Sequence, residues 1–169
     1  MIKRIIITGG PCSGKTSIIE ALKEREYYCF NEVSREIIQG MDIKTAFKNI
    51  DFEEAVFKKR KKDFLDAKPG VNFYDRSMLD NIAYLKNNKH SIPNHFIKAC
   101  EEHRYHSKVF ITIPWEEIYH KDNERLENFK DSILIFEALK QVYKEAGYNL
   151  VELPKLSVKE RITRIINEI

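Results

Sequence analysis

The tightest constraint on this chain lies at residues 9–16, Gly9-Gly10-Pro11-Cys12-Ser13-Gly14-Lys15-Thr16, which fits the pattern G-x-x-x-x-G-K-[S/T] of a Walker A phosphate loop. An apolar run, Ile5-Ile6-Ile7, precedes it, and a segment with helical character, Thr16 to Glu26, follows. That strand-loop-helix context is what the motif needs. Gly9 and Gly14 permit backbone angles and a close approach that a Cβ forbids. The turn then aims several N–H groups at one point, a nest for phosphate oxygens. The helix after it adds its own unpaired N–H groups and the positive end of its dipole, at Lys15, Thr16 and Ser17. Lys15 has the reach for the β- and γ-phosphates, and the Thr16 hydroxyl for Mg²⁺. A chance match in a glycine-rich turn is the weaker reading, so the motif predicts a site for a nucleoside triphosphate.

The rest of the chain supplies a frame for such a loop. Residues 3–8, 28–30, 71–74, 109–113 and 148–153 read as strands, each followed by a stretch of helical periodicity. Helices are expected over Thr16–Glu26, from Val33 to a stop at Gly40, and from an N-cap at Asp51 to about Ala67. Others are expected from Ser77, after Pro93 to about His103, over Asp131–Ala146 with Gly147 as the stop, and after the Ser157-Val158-Lys159-Glu160 capping box. Residues 42–50 read as a short helix or loop, and residues 115–130 as a charged, lid-like segment. This alternation predicts an α/β fold with a five-stranded parallel sheet and helices on both faces. A length of 169 residues suits a single domain over 1–169.

Ligands of such sheets gather at the carboxyl ends of the strands. Strand one ends in the phosphate loop, strand two at Glu32, and strand three at Asp75-Arg76-Ser77. An acid directly after an apolar strand is the pattern that holds Mg²⁺, which makes Asp75 a metal candidate beside Thr16. Helix capping is its bland alternative, although Ser77 can fill that role. Glu32 is a candidate base for an acceptor hydroxyl; its bland alternative is an ion pair with Arg35, three residues along a helix.

The segments GGPCSGKT (9–16), NEVSREII (31–38), FYDRSMLDNIAYL (73–85), WEEIYHKDNER (115–125), EAGYNLVELP (145–154) and SVKERITRII (157–166) resemble the AAA-like P-loop ATPase and kinase family. Relatives of that family include ribosylnicotinamide kinase and, more distantly, deoxynucleoside kinases. The resemblance covers nearly the whole chain. It implies that Glu32 and Arg35 act as an acid-arginine pair at the acceptor hydroxyl. It implies that Asp75-Arg76-Ser77 serves metal and phosphate, and that Arg125 is a lid arginine. One departure is a lid sparse in arginine, with Arg125 alone and Lys121 one helical turn earlier.

Other signals point elsewhere or nowhere. The run Lys58-Lys59-Arg60-Lys61-Lys62 scans as a nucleic-acid patch, but five successive helical positions cover every face. Arg60 and Lys61 fall between Phe57 and Phe64, so one of them is expected to turn toward the cleft or to snorkel along it. No nucleic-acid partner is expected. His95, His103 and His106 lack ligand spacing. Trp115 with Tyr119 suits either stacking on a base or packing of the lid. Three separated cysteines, Cys12, Cys29 and Cys100, predict free thiols in a reducing, cytoplasmic setting. No apolar run approaches the roughly 20 residues that span a bilayer. Two functions fit. One is an ATP- and Mg²⁺-dependent kinase of a small hydroxyl-bearing, nucleoside-like acceptor, with Lys15, Glu32, Arg76 and Arg125 at the reacting groups. The other is a P-loop ATPase or nucleotide-dependent binding module with no small-molecule acceptor.

Overall fold

The computed structural model describes residues 1–38, 50–119 and 128–169. Five strands, β1 (Ile2–Gly9), β2 (Tyr28–Phe30), β3 (Gly70–Asp75), β4 (Lys108–Thr112) and β5 (Asn149–Leu153), form one sheet in the order β2-β3-β1-β4-β5. Every pairing is parallel. β1 is central and both of its faces are covered, which is why Ile5, Ile6 and Ile7 form an unbroken apolar run with no exposure. Successive side chains still alternate between faces. Ile6 joins one core with Phe57, Met78, Leu139 and Tyr143, whereas Ile5 and Ile7 join the other with Ile18, Phe110 and Ile162.

Among the described residues the helices are α1 (Lys15–Lys23), α2 (Val33–Ile38), α3 (Ile50–Leu65), α4 (Met78–Asn87), α5 (Asn94–Glu102), α6 (Phe129–Glu145) and α7 (Val158–Glu168). α1 and α7 cover one face; α3, α4, α5 and α6 cover the other. The expected α/β architecture is therefore the observed one, with small differences at element ends. α1 stops at Lys23, three residues short of expectation, because Glu26 adopts φ 64° and the Tyr27 N–H turns back to the Leu22 carbonyl. Asp51 lies inside α3, whose first residue is Ile50. α6 starts at Phe129, two residues early, because Asn128 and Asp131 close a capping box around its first turn. The expected stop at Gly40 and most of the 42–50 segment lie outside the described residues.

Strand register brings the functional ends level. Ile7 pairs with Asp75 on one side of β1 and with Phe110 on the other, and Gly9 pairs with Thr112. Phe30 at the end of β2 pairs with Tyr74. One rim thus receives the loop after β1, the segment after β2 and the turn after β3.

Candidate active site

The phosphate loop is shaped by its backbone. Gly9 has φ 143°, and a Cβ there would lie 2.0 Å from Thr112 Oγ1. Gly14 has φ 84° and stands at the N-cap of α1, where no side chain caps the helix and no acid occupies its first turn. The first N–H groups of α1 therefore keep their donor capacity for an anion. Ser13 is buried and its hydroxyl lies 2.7 Å from the Gly10 carbonyl and 2.6 Å from Thr112 Oγ1, which holds the loop's inner side to β4. Pro11 is buried, Cys12 half-buried at φ 52°, and Thr16 and Ser17 exposed at the rim.

Lys15 is only 5% exposed, and its Nζ donates to the Gly10 carbonyl at 2.7 Å. Burial, with Arg76 nearby, lowers its pKa to about 8 against the opposing pull of Asp75, Glu32 and Asp80. A charge held this reluctantly gains most from an anionic partner.

Asp75, at the end of β3, is 4% exposed and its Oδ1 makes no hydrogen bond. Burial and the Glu32 charge push its carboxyl up to about 6, while Lys15 and Arg76 pull it down. An orphan carboxylate oxygen beside a phosphate loop fits a hard divalent cation such as Mg²⁺, so Asp75 with the Thr16 hydroxyl suits that role. Capping of α4 is not its task, because Ser77 and Asp80 form the capping box there.

Arg76 takes φ 72°, which turns its side chain back under the loop. Nε donates to Glu32 Oε1 at 3.0 Å, and Nη1 donates to the Gly9 carbonyl at 3.0 Å and to Asp80 Oδ1 at 3.5 Å. Burial opposes its charge, but Tyr84, Glu32, Asp80 and Asp75 raise its pKa further. Glu32, two residues beyond the end of β2, thus pairs with Arg76. The Arg35 side chain lies outside the described residues, as do Arg125 and Lys121.

Two further groups lie at the site, of which Asp80, Glu53 and Asn81 were not legible as site material. Asp80 is fully buried and receives the Thr8 hydroxyl at 2.6 Å, the Tyr143 hydroxyl at 2.5 Å and the Ser77 N–H at 3.0 Å. It joins the residue before the loop to the turn that carries Asp75 and Arg76; the S-x-x-D spacing from Ser77 was its signal. The second group is a buried chain of Glu53, Asn81 and Arg60. Asn81 donates to Glu53 Oε2 at 2.6 Å, and Arg60 Nη1 donates to Asn81 Oδ1 at 2.7 Å. Arg60 is the member of the basic run that turns inward, at 4% exposure, and it lines a narrow cavity with Phe30, Val33, Asp63, Asp75 and Arg76. Lys59 and Lys62 instead pair with Asp63 and Asp66, one helical turn along.

Trp115 lies beneath Arg161 of α7, 4.8 Å from ring centroid to Cζ, and Tyr119 meets Phe129 edge to face. Among the described residues no helix is long and apolar enough to cross a membrane, and no cluster of three or more His, Cys, Asp or Glu forms a metal cage. Cys12, Cys29 and Cys100 are free thiols.

A comparison with curated protein sequences found no match. Solved structures share the fold. Deoxyadenosine kinase from M. mycoides with bound dATP aligns with a TM-score of 0.72 at 17% identity, covering 98% of both chains. The NadR protein in complex with NR aligns at 0.71 and 17% identity over 98% of this chain, which spans 49% of that one. Shikimate kinase from Aquifex aeolicus aligns at 0.60 and 17% identity, over 97% of this chain and 94% of that one. At this identity the likeness speaks for the fold. A family model described as an AAA domain matches residues 4–161, which takes in the phosphate loop, the Asp75-Arg76 turn and α7 through Arg161. The chain belongs to the AAA domain family, and it has the fold of the P-loop kinases.

Proposed function

We propose that the protein is an ATP- and Mg²⁺-dependent kinase of a small, hydroxyl-bearing, nucleoside-like acceptor, working in the cytoplasm as a single domain. The observation that carries this reading is the convergence of Lys15, Asp75, Arg76 and Glu32 on one rim, with Glu32 held by Arg76 at 3.0 Å. In a plain ATPase or binding module the same carboxylate would hold a water or nothing, so acceptor-dependent turnover separates the two readings. The relatives support the acceptor class: one is a deoxyadenosine kinase, and the NadR protein is known in complex with NR.

The chemistry follows from the residues. N–H groups of the loop and of the first turn of α1, with the Lys15 ammonium, hold the triphosphate and oppose its charge. Thr16 and Asp75 are the groups that would hold Mg²⁺, which supplies neutralisation of phosphate charge when bound. The acceptor oxygen forms a bond to the γ-phosphorus as the bond from that phosphorus to the β–γ bridging oxygen breaks, and ADP leaves. Glu32 takes the hydroxyl proton; Arg76 keeps that carboxylate ionised and aimed. Arg35 is the candidate to fork onto the acceptor's oxygen atoms, and Arg125 to close over the transferring group. Arg60, whose Nε makes no hydrogen bond, offers a donor on the acceptor side of the cleft.

The test is ADP release at saturating MgATP across a panel of nucleosides and ribosides. Acceptor-stimulated release with a phosphorylated product supports the kinase. Steady release that no acceptor alters, together with tight ATP binding, supports the ATPase or binding-module reading.

A further inference from the structure

Arg161 is a buried cation that the chemistry above does not use. It projects from α7 and is 2% exposed. Nε donates to the Pro154 carbonyl at 2.8 Å, and Nη1 donates to the Ser13 carbonyl at 3.1 Å, 148 residues away in sequence. Its guanidinium stacks on Trp115, and Nη2 makes no hydrogen bond. Burial alone lowers its pKa, and no charged partner among the described residues offsets it. The fit against the loop is tight, for a Cβ on Gly14 would stand 2.9 Å from Nη1.

A buried cation without a counter-charge disfavours folding, and an apolar side chain of similar volume is often better tolerated there. A reason to keep it lies in the peptide it grips. The Ser13–Gly14 peptide is planar and trans, so its C=O and N–H point in opposite directions. With the Ser13 carbonyl held by Arg161, the Gly14 N–H is turned away from α7. Gly14, at φ 84°, has no Cβ to resist the opposite peptide orientation.

We propose that Arg161 is a positioning residue for the phosphate loop: by gripping the Ser13 carbonyl it orients the Gly14 N–H toward the bound phosphates, and it does so against its own folding stability. Trp115 is the support on which the planar guanidinium rests beside the loop. The inference rests on the reading that the loop binds ATP.

The experiment compares wild type, Arg161→Met, Arg161→Lys and Trp115→Phe by thermal melting and by calorimetric titration with MgATP. Arg161→Met is expected to melt at or above the wild-type temperature while ATP affinity falls about tenfold to a hundredfold, the scale of one charge-assisted hydrogen bond. Arg161→Lys keeps the charge but lacks the fork, so it is expected to recover part of that affinity. Trp115→Phe retains an aromatic face and is expected to lose a few-fold, with no further loss when added to Arg161→Met. Unchanged ATP affinity in Arg161→Met overturns the proposal. So does a parallel fall of stability and affinity, which makes Arg161 an ordinary structural residue. If Arg161→Met does not fold, additive losses from Trp115→Phe and Arg161→Lys overturn it, and overlapping losses sustain it. A wild-type protein that binds no ATP removes this inference and the kinase reading together, and is recognised because the unaltered chain itself fails.

Discussion

Within the phosphate loop, Lys15 reaches back five residues to Gly10, and Ser13 reaches back three. On the opposite wall of the same cleft, Arg76 spans 44 residues to Glu32 and 67 to Gly9, and Asn81 spans 28 to Glu53. The loop makes its site mostly from backbone N–H groups, which every residue but proline carries. The opposite wall, proposed to take the acceptor, draws on side chains delivered by the segments after β2 and β3 and by α3 and α4. Substitution should therefore act differently on the two sides. Loop changes should alter binding and turnover together, whereas wall changes should separate one from the other.

The largest expected effect is on the loop side. Lys15→Ala removes the one side-chain cation of the loop, and turnover is expected to fall about 10³-fold with a clear loss of triphosphate affinity. Steady-state kinetics with calorimetry on the folded variant checks this, and normal values for both would undo the phosphate-site reading. Glu32→Gln comes next and probes the wall. Acceptor phosphorylation is expected to drop by about 10²-fold, near the low end for a general base because a loose phosphoryl-transfer transition state asks less of one. ATP affinity should stay level. An equal loss of both would erase the contrast between the two sides.

Asn81→Leu sharpens the contrast through stability. It leaves the buried Glu53 carboxyl and Arg60 without their shared partner, a loss of about 3 kcal/mol or roughly 6–12 °C in melting temperature. ATP affinity is expected to be unmoved, and the acceptor KM to rise. Melting curves and acceptor titrations of the same preparation measure both.

The smallest effect is a pH dependence. Lys15 holds its proton only to about pH 8 in the free fold, against 10.5 for an ordinary lysine, chiefly because it is buried. Binding a triphosphate requires the ammonium, so ATP affinity should weaken above about pH 8, by less than tenfold per pH unit. Folding moves the other way. The unfolded chain binds more protons between pH 8 and 10.5, so Lys15's unfavourable contribution is present in full below that window and fades as pH rises through it. Calorimetry at pH 7, 8 and 9 on wild type and Lys15→Met isolates the lysine, since the variant should lose the slope.

Legibility of the site followed the same division. Gly9 and Gly14, the apolar run before them and the helix after them occupy one short stretch, and the structure puts a loop of the expected shape there. The strand-end acids Glu32 and Asp75 were also readable, because a parallel sheet sends all of its carboxyl ends to one rim. What pairs with them was not. Glu32 meets Arg76 at 3.0 Å, a partner that sequence spacing does not suggest, since Arg35 is the neighbour one helical turn away. Of the five basic residues at 58–62, the sequence narrowed the inward one to Arg60 or Lys61. Only the packing of α3 against α4 selects Arg60, through Asn81. Glu53, Asn81, Asp80 and Arg161 carried little or no signal as site residues, because a buried polar side chain is defined by what surrounds it.

The sequence by itself determined the α/β alternation, the place of the phosphate loop and the strand ends at which chemistry can collect. These depend on local periodicity, on glycine's freedom and on the fixed direction of a parallel strand, all of which operate within a few residues. The tertiary structure alone decided which charges share a partner, which lysine or arginine turns inward and which carbonyl a distant arginine grips. Those outcomes depend on register, helix rotation and burial, and a contact such as Arg161 to Ser13 exists only once α7 has packed beside α1.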